Sequence, residues 1–139
     1  MGAYILALDY GEKRVGVAIA HIVARLPKPL TTLANSETLL RDIQALLTEE
    51  DVDLVVVGLP RGMDGGYTRQ THAAEAFAQQ LAVAVNVPVE LADETLTSID
   101  AENELAGSVH GKADIDALAA AYILERYLAD HPASKETGA

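Results

Sequence analysis

The sequence predicts an α/β domain whose sheet includes parallel strands joined through helices, and three features predict it. Apolar runs at residues 4–8, 54–59 and 87–91 have the length and composition of strands. Residues 37–50 and 70–86, which lie between them, carry apolar side chains at helical spacing. Strand, helix and strand in succession is the layout of the crossover that joins parallel strands.

The first run, Tyr4-Ile5-Leu6-Ala7-Leu8, reads as a buried strand that ends on Asp9. Gly11 turns the chain, and Val15, Val17 and Ile19 alternate with small residues as a hairpin partner. Pro27 and Pro29 hold the next stretch irregular, after which residues 30–33 form a short edge strand. Ser36 is placed to cap a helix over 37–50, with Leu39, Leu40, Ile43, Leu46 and Leu47 inward. The run at 54–59 does not alternate, as expected of a central strand covered on both faces. A Gly-rich loop at 60–68 follows, with Arg61 and Arg69 at its ends; it lacks the Lys-Ser/Thr ending of a phosphate-binding P-loop. Ala73, Ala74, Phe77, Leu81 and Val85 mark the inner face of the helix over 70–86, and residues 87–91 form the third parallel strand. The Thr97-to-Asp100 spacing starts a short helix to about Ala106, and residues 107–112 form a mobile loop. Asp114-Ile115-Asp116 opens a last helix over 115–129, with Leu118, Tyr122, Ile123 and Leu128 buried. Residues 1–130 form one domain, and 131–139 a flexible tail.

Composition narrows the function. The chain has no cysteine, which removes disulfides and thiolate metal sites and makes a reducing cytoplasm the expected location. The four histidines lack the paired spacing of a zinc site. No apolar run approaches the ~20 residues of a membrane span. The formal net charge of −11 argues against a broad nucleic-acid-binding surface. The charge is uneven, however. Residues 1–70 hold seven Lys/Arg against nine Asp/Glu, and residues 71–139 hold three against twelve. Lys13, Arg14, Arg25, Lys28, Arg61 and Arg69 fit a local basic rim, and they fit an ordinary solvated surface equally.

Carboxylates stand at three element ends: Asp9, Asp93-Glu94, and Asp114/Asp116. Parallel strands gather their C-terminal ends on one sheet edge, where ligands of such folds bind. Converging acids repel unless a cation neutralises them, and an all-oxygen set suits Mg²⁺ or Mn²⁺. An ion held this way activates water toward a phosphodiester and stabilises the departing oxygen, so no Ser/His/Asp or Cys/His set is required. Taken singly, each acid also fits a local role: Asp9 in a turn, Asp93 in a loop, Asp114 as a helix cap.

From about Tyr4 to Leu128 the chain resembles the YqgF/RuvX family of RNase H-like proteins. The resemblance rests on ALDYGEKRVGVA at 7–18, PLTTL at 29–33, VVVGLPRGMDG at 55–65, ADETLTS at 92–98 and IDALAAAYILERYL at 115–128. It implies a five-stranded mixed sheet of order 3-2-1-4-5 with helices on both faces. It further implies that Asp9, Glu94 and Asp116 are the catalytic, metal-holding acids, with Asp93 and Asp114 as spare acids nearby. Lys13, Arg14, Arg61 and Arg69 are then expected to contact phosphates. The implied activity is metal-dependent cleavage of structured RNA, namely pre-16S rRNA during ribosome maturation in the cytoplasm. The alternatives are a Holliday-junction resolvase acting on branched DNA, and a non-catalytic binding module of the same fold working with ribosome assembly or transcription factors. A monomer or homodimer is expected. A phosphotransferase of the actin-like type needs a second similar domain, for which 139 residues leave no room. Two positions depart from the family pattern. Thr95 stands where Asp-Glu is usually followed by Arg, which removes a phosphate contact or counter-charge, and Ala20-His21 closes the second strand.

Overall fold

Alternation along the central strand decides the architecture, because its two rows of side chains bury against different helices. The structure is a computed structural model that describes residues 2–94 and 112–132. Thr95, the helix expected at 97–106, the loop at 107–111 and the tail from 133 lie outside the described residues. So do the side chains of Glu94 and of residues 112–114.

The described chain runs β1 (Tyr4–Tyr10), β2 (Arg14–His21), β3 (Lys28–Ala34), α1 (Leu39–Glu49), β4 (Val52–Pro60), α2 (Arg69–Ala84), β5 (Val89–Glu94) and α3 (Lys112–Asp130). The strands form one sheet in the order β3-β2-β1-β4-β5. β2 is antiparallel to β1 and β3, while β4 and β5 run parallel to β1. This is the expected mixed sheet. Leu6 and Leu8 of β1 join Val15, Val17, Val55 and Val57 beneath Ile43 of α1 and Phe77 and Leu81 of α2. Ile5 and Ala7 join Ala18, Ala20 and Val56 beneath Ala120, Ile123 and Leu124 of α3. Two cores therefore sandwich the sheet, with α1 and α2 on one face and α3 on the other.

Several boundaries differ from expectation: β3 begins at Lys28 with Pro29 inside it, as an edge strand allows, β4 begins at Val52 and β5 at Val89, and three further ends bear on the acids. β1 continues through Asp9 to Tyr10, so Asp9 is a ladder residue opposite Gly16 and not part of the turn. β5 continues to Glu94, which is in register with Pro60. α3 starts by Lys112, so Asp116 lies in its second turn and not at its first residue. In each case pairing or helix packing carries the element past the last apolar residue. At the start of α1, Thr38 and not Ser36 takes the N-cap; the Ser36 hydroxyl accepts from the Thr38 nitrogen instead. On α2 the inward set is Thr71, Ala74, Phe77, Ala78 and Leu81, and Ala73 faces out. On α3, Leu118 and Tyr122 are half-buried, while Leu124 and Tyr127 join the buried stripe.

At the far end of α3 the chain is pinned. Nη2 of Arg25 donates to the carbonyls of Leu128 at 2.9 Å and His131 at 2.6 Å, satisfying groups a helix end leaves open. His131 stacks on Tyr127 with ring centroids 4.1 Å apart. The Tyr127 hydroxyl donates to Oε1 of Glu90 on β5 at 2.8 Å. Burial first, then the bond to Glu90 and its charge, push the Tyr127 phenol up to about 12 from 10.0. Among the described residues no helix is long and apolar enough to cross a membrane.

Candidate functional site

One edge of the sheet collects the ends of β1, β3, β4 and β5 and the start of β2. A cavity of about 400 Å³ opens there, lined by Asp9, Gly11, Asn35, Arg69, Gln70 and Asp116 among others. It lies between the N-terminal turns of α2 and α3, which come from opposite faces.

Each wall has a local cause. Asp9 extends the Ile5-Ala7 row, so it sits on the α3 side of β1. Tyr10 points the other way and stacks on Phe77 at 4.3 Å, which holds α2 against the end of β1. The first turn of α2 is fixed by a reciprocal cap: the Thr68 side chain accepts from the Thr71 nitrogen at 3.2 Å, and Thr71 Oγ1 accepts from the Thr68 nitrogen at 2.9 Å. The fully buried Thr71 hydroxyl also donates to the Pro60 carbonyl, which ties α2 to the end of β4. This brings Arg69, Gln70 and Ala73 to the cavity. The hairpin between β1 and β2 is closed by the Gly11 nitrogen donating to the Arg14 carbonyl at 3.0 Å. A Cβ on Gly11 would stand 2.6 Å from that oxygen, so the turn requires glycine. Nδ2 of Asn35, just past β3, donates to the Gly11 carbonyl at 2.7 Å and braces the turn from the side.

Asp116 is held by β2. Nε of Arg14 donates to its Oδ2 at 2.7 Å, with the two side chains 37% and 27% exposed. A second hollow of about 310 Å³ adjoins the first, lined by Gly11, Glu12, Lys13, Arg14 and Asp116. Asp116 thus borders both.

The structure therefore brings together Asp9, Asp116, Arg14, Lys13 and Arg69 of the expected set. Glu94 ends β5 on the same edge, in the row of Glu90 and Ala92, one strand beyond β4. Two strand spacings, roughly 10 Å, separate its row from that of Asp9. The side chains of Glu94 and Asp114 lie outside the described residues. Two other residues of the expected set meet each other. Asp93 is paired with Arg61, Nη2 to Oδ1 at 3.2 Å and Nε to Oδ1 at 3.3 Å. Arg61 also donates to the Gly65 carbonyl at 3.1 Å and lies 4.6 Å over the Tyr67 ring. Asp93 and Arg61 satisfy each other across neighbouring strands and stand off the cavity walls. Asn35 and Gln70 are wall residues that the sequence reading passed over. For Asn35 the available signal was its place directly after β3, on the same edge as Asp9.

Comparison with known proteins agrees with this architecture. A protein of Chloroflexus aggregans named "Putative pre-16S rRNA nuclease" is 43% identical over 130 residues, covering 89% of this chain and 92% of that one. A protein of the same name from Paraburkholderia phytofirmans is 40% identical over 129 residues, covering 91% and 88%. Among solved structures, Thermus thermophilus RuvC in complex with Holliday junction substrate superposes with a TM-score of 0.53 at 14% identity, covering 93% of this chain and 96% of that one. The fowlpox virus resolvase bound to Holliday junction DNA gives 0.54 at 18% identity, covering 94% and 99%. At those identities the likeness speaks for the fold, which is RNase H-like, as the resemblance implied. The family model described as RuvX, Holliday junction resolvase, matches residues 3–130, and the chain belongs to that family.

Proposed function

We propose that the protein is a divalent-metal-dependent nuclease of the cytoplasm that cuts structured nucleic acid, with pre-16S rRNA as its substrate. One observation carries the proposal: Asp9 and Asp116, from opposite ends of the chain, border one cavity beside Arg14 and Arg69. Near-full-length relatives named for pre-16S rRNA support the choice of RNA.

The donors fit a hard cation. Asp9 and Asp116 offer oxygens only, and among the described residues no histidine lines the cavity. Among the described residues no three acids or imidazoles converge. A Mg²⁺ site commonly draws just one or two carboxylates from the protein, with water and phosphate oxygens filling the remaining positions. Asp9 and Asp116 would hold the ion, with Glu94 as the third carboxylate. The bound ion supplies Lewis acidity for activating water and for the charge on the departing oxygen.

The chain's own residues do the rest. Arg69 stands at the N-terminus of the sixteen-residue α2, where its charge adds to the positive end of the helix dipole and attracts a phosphate. Lys13, exposed on the hairpin turn, contacts the strand from the other side of Asp116. Arg14 offsets the charge of Asp116, so that the acidic pair does not repel an incoming phosphodiester.

The test is cleavage of a pre-16S rRNA fragment and of a four-way DNA junction by purified protein with Mg²⁺ or Mn²⁺. Cleavage of the RNA that disappears with chelator supports the proposal. Preferential cutting of the junction shifts the substrate to branched DNA. Binding without cleavage of either overturns the nuclease reading in favour of a non-catalytic module.

A further inference from the structure

A glycine inside a buried strand weakens it, and its usual reason is the close approach of another backbone. Gly16 in β2 has that reason. A Cβ placed on it would overlap the carbonyl oxygen of Asp116 and lie 2.9 Å from the nitrogen of Ala117. The backbone of α3 thus occupies the space of the missing side chain. Ala18 and Ala20, next in the same row of β2, also pack in the core beneath α3 and carry their Cβ atoms there. Gly16 is at the same time the ladder partner of Asp9. Opposite ladder residues have Cα atoms about 4.5–5.5 Å apart. One position therefore adjoins both acids: across the ladder it faces Asp9, and on its open face it seats the backbone of Asp116.

We propose that Gly16 is a positioning residue that sets the height of Asp116 over the sheet, and so its distance from Asp9. The proposal rests on the acidic-site reading above. A methyl group at this position pushes the helix backbone outward by about one C–C bond, ~1.5 Å. Arg14, two residues earlier in the same row, holds the Asp116 carboxylate by its side chain, while Gly16 holds the main chain. Lengthening the acid by one methylene returns the carboxylate across roughly the distance that the methyl group takes away.

This reciprocity is the test. Mn²⁺ binding is titrated by electron paramagnetic resonance, and cleavage is followed at 25 °C, for Gly16→Ala, Asp116→Glu, the two together, and Ala18→Gly. Either single substitution at the site is expected to weaken Mn²⁺ on the order of 10–100-fold. Each is also expected to lower kcat by roughly 100-fold with KM for the nucleic acid unchanged. The double variant recovers most of both. Ala18→Gly, which loosens α3 away from Asp116, lowers the melting temperature and leaves Mn²⁺ affinity as it was. Asp116→Glu lies at the cavity and tests the distance even if Gly16→Ala fails to fold. Wild-type Mn²⁺ affinity in either single variant, or a double variant no better than the worse single one, overturns the inference alone. An unsubstituted chain that binds no Mn²⁺ and cuts nothing overturns the acidic-site reading, and the inference with it.

Discussion

Arg14 and Asp116 are 102 positions apart in the chain, and Nε of the first donates to Oδ2 of the second at 2.7 Å. Both side chains are about a third exposed, so the pair adds less than about 1 kcal/mol to stability. Its effect is on the site. Arg14→Gln keeps a donor beside Asp116 but removes the positive charge. Mn²⁺ is then expected to bind roughly two- to tenfold more tightly, while nucleic acid binds more weakly. Paired Mn²⁺ and RNA titrations check this; weaker Mn²⁺ binding in the variant means that Arg14 serves to orient Asp116 and not to offset its charge.

Thr71 is the one buried polar side chain among the described residues, and its hydroxyl joins Thr68 to Pro60. Thr71→Val leaves the Thr68 nitrogen and the Pro60 carbonyl without that partner at nearly constant volume. The expected loss is about 1–3 kcal/mol in urea unfolding. Thr71→Ser, which retains the hydroxyl, is expected to lose less than half as much. Equal losses would locate the effect in the methyl group and not in the hydrogen bonds.

Tyr127 gives the fold an alkaline limit. Its folded-state pKa is raised from 10.0 to about 12, so the native state holds the phenolic proton where the unfolded chain releases it. The stabilisation is complete below pH 10 and is lost as pH rises from 10 to about 12. Its full size is on the order of 2–3 kcal/mol. Tyr127→Phe is therefore expected to be less stable than the unsubstituted chain at pH 8, with the gap narrowing as pH rises from 10 to about 12. Denaturant melts at several pH values measure the gap, and a constant gap contradicts the assignment.

Salt dependence separates the cations. Lys13 and Arg69 stand on cavity walls, whereas Arg61 is engaged with Asp93, Gly65 and Tyr67. Lys13→Gln and Arg69→Gln are each expected to flatten the plot of log K against log salt by about 0.7–0.9. Arg61→Gln is expected to leave the slope nearly unchanged. A flattened slope for Arg61→Gln returns that residue to the phosphate contacts.

Most of the sheet was legible because its strands are apolar runs with clear turns between them. The run at 54–59 reads as central because both of its faces are apolar, and β4 does have Val56 in one core and Val55 and Val57 in the other. Local signals failed at element ends. β1 and β5 run on through polar residues since ladder pairing, not side-chain type, ends them. What decides the site is non-local. Spacing placed Asp9 and Asp116 at element ends, but nothing in it says that α3 lands on β2 at Gly16. Nor does spacing show that Arg61 meets Asp93, since that pairing depends on the β4–β5 register. The charge asymmetry of the two halves pointed to a basic rim, and of its members only Lys13, Arg14 and Arg69 border the two hollows.

The most direct test of the central claim is single-turnover cleavage of a pre-16S rRNA fragment by Asp9→Asn, with Mn²⁺ binding measured on the same protein. Asn keeps the size and ladder position of Asp9 and removes its charge. A loss of at least about 100–1,000-fold in rate, equal to about 3–4 kcal/mol of barrier, is expected, with Mn²⁺ affinity falling alongside and RNA affinity unchanged. Cleavage at the unsubstituted rate would show that Asp9 is a ladder residue only, and that the reaction is run from somewhere else.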